Sequence, residues 1–172
     1  MRLKPDFYKR SATVIAPLLL GKILCRRQQN GDVLRYRITE TEAYAGETDT
    51  ACHAHRGRTP RNSVMYKAGG VSYIYLCYGI HNLLNVVTAE ADVPEAVLIR
   101  GAEGFPGPGR LTKAMGIDRK LNGVDLTTSD ELWLEDDGVC FEEYTATPRI
   151  GIDYASDDDR ARLWRFVNSK PT

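Results

Sequence analysis

No apolar run in this sequence is long enough to cross a membrane as a helix, which takes about 20 consecutive apolar residues. The nearest candidate, residues 11–25 (S-A-T-V-I-A-P-L-L-L-G-K-I-L-C), follows a basic start and superficially resembles a secretory leader. Lys22 interrupts it, Arg26 and Arg27 follow, and no small-x-small cleavage pattern closes it. It predicts instead a helix capped at Ser11, running over residues 12–20 and released at Gly21. Cysteine is equally sparse: Cys25, Cys52, Cys77 and Cys140 form no C-x-x-C pair and have no ligand spacing beside His53 and His55. This excludes a disulfide scaffold and a zinc-finger pattern. It predicts reduced thiols in a cytoplasmic protein with no metal and no other cofactor.

Net charge is absent too, with 23 Lys and Arg against 23 Asp and Glu. The balance conceals an asymmetry. Residues 1–37 hold nine basic and two acidic side chains, residues 38–117 seven and eight, and residues 118–172 seven and thirteen. A basic face can bind phosphates while an acidic back faces water, so neutrality does not exclude a nucleic-acid partner. It does predict weaker non-specific binding than a strongly basic protein would show. Repeats, low-complexity tracts and linkers are missing as well, and 172 residues suffice to bury one sizeable core. The expectation is a single domain over residues 1–172, of the α+β class, with a curved, mostly antiparallel sheet, short flanking helices and a protruding hairpin.

What the sequence does contain is concentrated in its middle. Residues 38–53 read I-T-E-T-E-A-Y-A-G-E-T-D-T-A-C-H. If the start is a strand, a period of two puts Glu40, Glu42 and Tyr44 on one side, with the glutamates about 7 Å apart. Glutamate is a poor strand former, so a strand spending two on one face points to a general base or an electrostatic stabiliser. A solvated edge strand whose charges discourage pairing is the plainer alternative. Residues 66–78 carry four tyrosines, and G-I-H-N-L-L-N-V-V-T follows, predicting two apolar strands around a turn at Gly79. Tyr73 and Tyr75 share a face, whereas Tyr78 has the opposite parity, abuts Gly79 and can project from the hairpin tip. The loop H-A-H-R-G-R-T-P-R-N (53–62) is basic and turn-rich, and its arginines suit phosphate contacts better than burial.

Around these segments, Asn30-Gly31-Asp32 predicts a hairpin turn, residues 45–70 are mostly loop, and strands are expected near 71–78, 82–89 and 96–100. A Gly/Pro loop leads into a short helix through Leu111 to Met115. Further short strands are expected at residues 132–135, 149–152 and 163–167, separated by acidic turns at 136–138 and 157–159.

Taken in order, E-T-E-A-Y (40–44), H-x(4)-R-T-P-R-N (53–62), Y-I-Y-L-C-Y-G-I-H-N-L-L-N-V (73–86), A-V-L-I-R (96–100), G-P-G-R-L-T-K-A-M-G-I (107–117) and R-I-G-I (149–152) cover most of the chain. Together these blocks resemble the alkyladenine family of 3-methyladenine DNA glycosylases. The resemblance implies removal of alkylated or deaminated purines from duplex DNA by a monofunctional enzyme, monomeric, and located with the DNA: nucleoid-associated in a prokaryote, nuclear in a eukaryote. It implies that Glu42 is the general base, that Arg100 and the carbonyl of Ile150 help hold the attacking water, and that Tyr44, His53 and Tyr75 sandwich the flipped base. Asn85 is implied to crowd the exocyclic amine of undamaged guanine. Tyr78 is implied to intercalate, with Arg58, Arg61, Met65, Arg110 and Lys113 also on the DNA. The chain departs from the family pattern after Arg100, where only G-A-E-G-F-P precedes Gly107 in place of a longer connection. Two other readings compete: a sugar glycosidase using Glu40 and Glu42 as its carboxylate pair, and a damage-binding protein of the same fold without turnover.

Overall fold

One strand, twelve residues long, organises the computed structural model, which describes residues 1–169. This strand, β2 (Val33–Tyr44), pairs along its first half with β1 (Ile23–Arg27), from Arg27 opposite Val33 to Ile23 opposite Arg37. The connecting turn is the expected one: Asn30 Oδ1 accepts from the Asp32 amide at 3.0 Å, and Gly31 takes the left-handed conformation (φ 91°). The second half of β2 pairs with β5 (Glu95–Ala102) on one edge and with β9 (Arg165–Asn168) on the other. Register shifts between Ile38 and Thr41 mark a bulge where the strand passes from one set of partners to the next. A bulge bends and twists a strand, and this one curls the sheet around the acidic residues that follow it.

All pairings are antiparallel and form a nine-stranded sheet. Its main path runs from β3 (Ser72–Cys77) through β4 (His81–Thr88), β5, β2 and β1 to β7 (Leu132–Glu135). The two-residue β6 (Phe105–Pro106) folds back on β5, and β8 (Tyr144–Thr147) pairs with β9. The short connection after Arg100 is thus a tight return that feeds directly into helix α3 (Pro108–Met115). The edge strand β3 is not left open. The amide of Ser72 donates to the Val124 carbonyl (2.9 Å), its carbonyl accepts from Gly123 (2.8 Å), and Asn122 Oδ1 takes the Ile74 amide (2.9 Å). Covering an edge in this way prevents pairing with another chain.

Helices α1 (Pro5–Tyr8), α2 (Ala12–Leu18) and α3 surround the main core, where Tyr8, Ile15, Leu19, Ile38, Ile99 and Leu111 are fully buried. Thr41 points into this side, donating to the Ala16 carbonyl at 2.8 Å, so its neighbours Glu40 and Glu42 face the other way. A smaller cluster of Cys52, Met65, Tyr66, Tyr73, Val87 and Ala96 fills that second side.

Three local expectations are corrected. Ser11 is the residue before α2 but makes no side-chain cap bond, and the helix stops at Leu18, where Pro17 has already removed one backbone donor. Residues 149–152 are not a strand: Gly151 is left-handed (φ 75°) and the Arg149 side chain turns inward. The acidic run 157–159 opens a short helix, α4 (Asp157–Ala161), because Ser156 caps it by accepting from the Asp159 amide. The last three residues of the expected 1–172 domain lie outside the described residues.

Candidate active site

The curled sheet and the loop after β2 enclose a cavity of about 560 Å³, within the range of small-ligand sites. Its walls are aromatic: Tyr44 at the end of β2, His53 in the following loop, Tyr73 and Tyr75 on β3, and Tyr154 before α4. His53 Nδ1 lies 2.9 Å from the Tyr73 hydroxyl, and its ring meets Tyr75 edge-on with centroids 4.4 Å apart. Desolvation by the surrounding cavity wall, with the Arg61 charge nearby, holds the His53 imidazole below its usual value and favours its neutral form. Asn85, opposite Tyr73 on β4, is buried in the wall and donates to the Tyr73 carbonyl at 3.2 Å. It is therefore a mid-strand residue and caps no turn.

Glu42 is fully buried, behind the wall that Tyr44, Arg100 and Ile150 present to the cavity. Both its oxygens are held. The Tyr44 hydroxyl donates to Oε2 at 2.8 Å, and the Ile150 backbone amide donates to Oε1 at 2.7 Å. Thus it is the Ile150 amide that meets the carboxylate, while its side chain is 48% exposed and belongs to no core strand. Arg100 Nε stands 3.6 Å from Glu42 Oε1, but its closer partner is Glu40 Oε1 at 2.9 Å. Glu40 also takes Arg165 Nε at 2.6 Å from β9, so one carboxylate anchors two guanidinium groups. Burial pushes the Glu42 carboxyl above the usual glutamate range, against the pull of Arg100, the Ile150 amide and the Tyr44 hydroxyl. The Tyr44 phenol, buried and beside that carboxylate, is driven well above its usual value and remains a neutral donor.

The donors on Glu42 rest on a pair that the sequence did not announce. Arg149 and Asp49 are both fully buried and bonded through two contacts, Nη1 to Oδ2 at 2.6 Å and Nη2 to Oδ1 at 2.9 Å. Arg149 Nη1 also donates to the Ala43 carbonyl (3.0 Å), and the guanidinium lies 4.9 Å from the Tyr44 ring centre. One cation thus braces Tyr44 from behind and immediately precedes Ile150, so it supports both donors at once. The hint in the sequence was an acidic residue in the loop after β2 and an arginine opening the R-I-G-I block, but their meeting is a long-range event.

Tyr78 stands at the outer end of the β3–β4 hairpin, 87% exposed. Tyr78 (φ 51°) and Gly79 (φ 66°) are both left-handed, and the Ile80 amide donates to the Cys77 carbonyl (3.1 Å), the pattern of a type I′ turn. Helix α3 packs against this hairpin just behind its tip: Thr112 Oγ1 donates to the Asn82 carbonyl at 2.6 Å. A Cβ on Gly109 would come within 2.8 Å of the His81 ring, so only glycine permits that approach. Arg110 reaches the cavity rim, and Lys113 is exposed on the same helix. In the 53–62 loop Arg61 is exposed, whereas Arg58 is engaged by Asp92 at 3.5 Å and lies over the Tyr66 ring. Met65 is only 2% exposed and forms part of the cavity wall, away from the outer surface. Among the described residues no three His, Cys, Asp or Glu side chains are grouped to hold a metal ion, and no helix is long and apolar enough to cross a membrane.

The family model described as Methylpurine-DNA glycosylase (MPG) matches residues 6–106 and 103–171 of the chain. The chain belongs to this family. Curated relatives agree in extent. A protein of Psychrobacter cryohalolentis is 46% identical, covering 94% of this chain and 88% of its own length. One from Methanocella arvoryzae is 45% identical over 96% of this chain and 92% of itself, and one from Borrelia garinii subsp. bavariensis 44% over 93% and 92%. All three are provisionally named 3-methyladenine DNA glycosylases. Within the methylpurine-DNA glycosylase family, then, the aromatic cavity, the buried Glu42 and the exposed hairpin tip are the features that a function has to use.

Proposed function

We propose that this protein is a monofunctional DNA glycosylase that draws alkylated or deaminated purines from duplex DNA into the aromatic cavity and hydrolyses their N-glycosidic bond. The observation that carries this reading is Glu42, a carboxylate with both oxygens oriented at the back of a base-sized aromatic cavity. Flipping a nucleotide costs a few kcal/mol of unstacking and leaves a gap in the duplex. Tyr78, exposed and held by a rigid turn, is suited to fill that gap from the minor groove. The extracted base then meets Tyr44 and the His53–Tyr75 pair, and aromatic stacking, worth about 1–3 kcal/mol per base, tolerates several purines. Asn85 offers a polar check on the base edge, opposing undamaged guanine by crowding its exocyclic amine.

In the chemical step, a water held between Arg100 and Glu42 Oε1 attacks the anomeric carbon. Its proton passes to the Glu42 carboxylate, and the electron pair of the C–N bond leaves with the base. The ionised carboxylate also stabilises the positive charge that develops on the sugar. Among the described residues no carboxylate lines the cavity, and Glu40 is occupied by two arginines. A neutral base therefore finds little help in leaving, which favours lesions that already carry positive charge. Among the described residues no lysine lines the cavity either, which supports hydrolysis over Schiff-base cleavage. Double-stranded DNA is the partner, the protein acts as a monomer, and it resides with the DNA.

The decisive experiment incubates the protein with duplexes containing one 7-methylguanine, hypoxanthine or ethenoadenine and scores free base and alkali-labile abasic sites. Base release with an unbroken strand is expected, fastest for the cationic lesion. Tight lesion binding with no base release would replace this reading with that of a non-catalytic damage-binding protein.

A further inference from the structure

The two faces of the β3–β4 hairpin are different. Strand residues alternate between faces, and the register sets Tyr73 opposite Asn85, Tyr75 opposite Leu83 and Cys77 opposite His81. All six line the aromatic cavity. Leu76 and Asn82, paired with each other on the opposite face, line a second and smaller cleft completed by Asp118, Arg119 and Lys120. The segment bearing these charges is fastened to the hairpin through the Asn122 and Val124 bonds to β3, so the cleft and the hairpin form one unit.

The charges in this cleft are unspent. Among the described residues neither Arg119 nor Lys120 has a carboxylate within ion-pairing distance, in contrast to Arg2, Arg35, Arg37, Arg160 and Arg162 elsewhere on the surface. The neighbouring Asp118 is turned to the backbone, where its Oδ1 accepts from the Lys120 amide at 2.8 Å. Among the described residues no aromatic side chain lines the cleft, so it offers nothing for a base to stack on. A guanidinium fork, an ammonium group and the Asn82 carboxamide suit phosphate oxygens instead.

We propose that this second cleft grips the phosphates of the undamaged strand. The inference rests on the reading of Tyr78 as a wedge. A hairpin whose tip enters the base stack has one DNA strand on each side. The strand that surrenders its nucleotide to the cavity lies along the face of Tyr75 and His81, beside Arg110. Its complement must then pass the face of Leu76 and Asn82, where Arg119 and Lys120 complete the cleft. The hairpin is thereby a divider, with separate electrostatic footing for each strand.

The test uses the Arg119→Gln/Lys120→Gln double variant, whose sites are exposed, with a melting curve to verify folding. Affinity for a lesion-bearing duplex is measured against salt. Two lost phosphate contacts should make the slope of log K against log[salt] shallower by about 1.8. The strand is then assigned with duplexes carrying neutral methylphosphonate linkages near the lesion. Neutralising the undamaged strand should weaken the wild type and leave the double variant unaffected, while neutralising the lesion strand weakens both alike. An unchanged salt slope overturns the proposal, as does a double variant that has lost sensitivity to the lesion strand instead. These outcomes are separate from failure of the underlying reading, which would appear as a wild type that releases no base, or a Tyr78→Gly variant that binds the lesion duplex as well as the wild type does.

Discussion

Replacing Tyr78 with glycine tests the wedge in a way that folding effects cannot mimic, because the local energies nearly cancel. A non-glycine residue held left-handed carries roughly 1–2 kcal/mol of strain, and Tyr78 has φ 51°. Glycine relieves that strain but loses about 0.5–1 kcal/mol through its greater freedom in the unfolded chain. With 87% of the residue exposed, only a small part of the ring is buried, and losing that contact removes about 0.6 kcal/mol at about 25 cal/mol per Å². The sum is near zero, so the melting temperature should stay within about 2 °C of wild type. A core tyrosine would behave differently, since its truncation costs about 3–5 kcal/mol, a fall of about 6–20 °C for a chain of this size. Duplex excision, by contrast, should lose a stacking contact worth about 1–3 kcal/mol, or about 5- to 150-fold in affinity for the lesion duplex. Tyr78→Phe should restore both quantities, because the ring rather than the hydroxyl fills the gap. A melting temperature more than about 5 °C below wild type, or undiminished excision by a well-folded Tyr78→Gly protein, would refute the reasoning.

Glu42→Gln should lower single-turnover excision at least about 10²-fold while lesion binding persists. The same variant should melt higher at neutral pH. Burial raises the carboxyl in the fold above its unfolded value near 4.3, so ionised Glu42 opposes folding above the raised value, and that opposition vanishes below the unfolded one. Activity runs the other way, and the excision rate should fall as pH drops through a value above the ordinary glutamate range, in a limb that Glu42→Gln abolishes. Asp49→Asn leaves the Arg149 charge buried without its counterion. It should destabilise by about 3–5 kcal/mol in chemical denaturation, with excision reduced in the fraction still folded. Excision should survive exhaustive chelation, and a loss restored by zinc or magnesium would count against the hydrolytic scheme.

Much of the frame was legible because it is local. The turn at Asn30-Gly31-Asp32, the alternation that sets Glu40, Glu42 and Tyr44 against Thr41, and the glycine beside Tyr78 each follow from backbone rules spanning a few residues. Where local pattern and tertiary demand diverged, the pattern misled. R-I-G-I alternates like a strand, yet Arg149 enters the core because Asp49, a hundred residues earlier, satisfies its charge there. Three consecutive aspartates look like a solvated turn, yet Asp159 is buried, with Thr50 and Ser156 bonded to its carboxylate. Charge alone implies exposure. Only a partner reverses that, and the partner is distant in the chain.

By itself, then, the order of the amino acids determined the hairpins, the face that bears the acidic and aromatic side chains, and the family. Whether those side chains work together was decided by tertiary structure. The bulge in β2 and the return of β9 bring Glu40 to two arginines at once, and the Asp49–Arg149 pair sets the Tyr44 hydroxyl and the Ile150 amide on the two oxygens of Glu42. Periodicity specifies the direction in which a side chain points relative to its neighbours. The proton affinity of Glu42 depends instead on the water removed from around it and on groups brought from elsewhere in the chain, the Arg100 guanidinium and the Ile150 amide, which only the closed fold assembles.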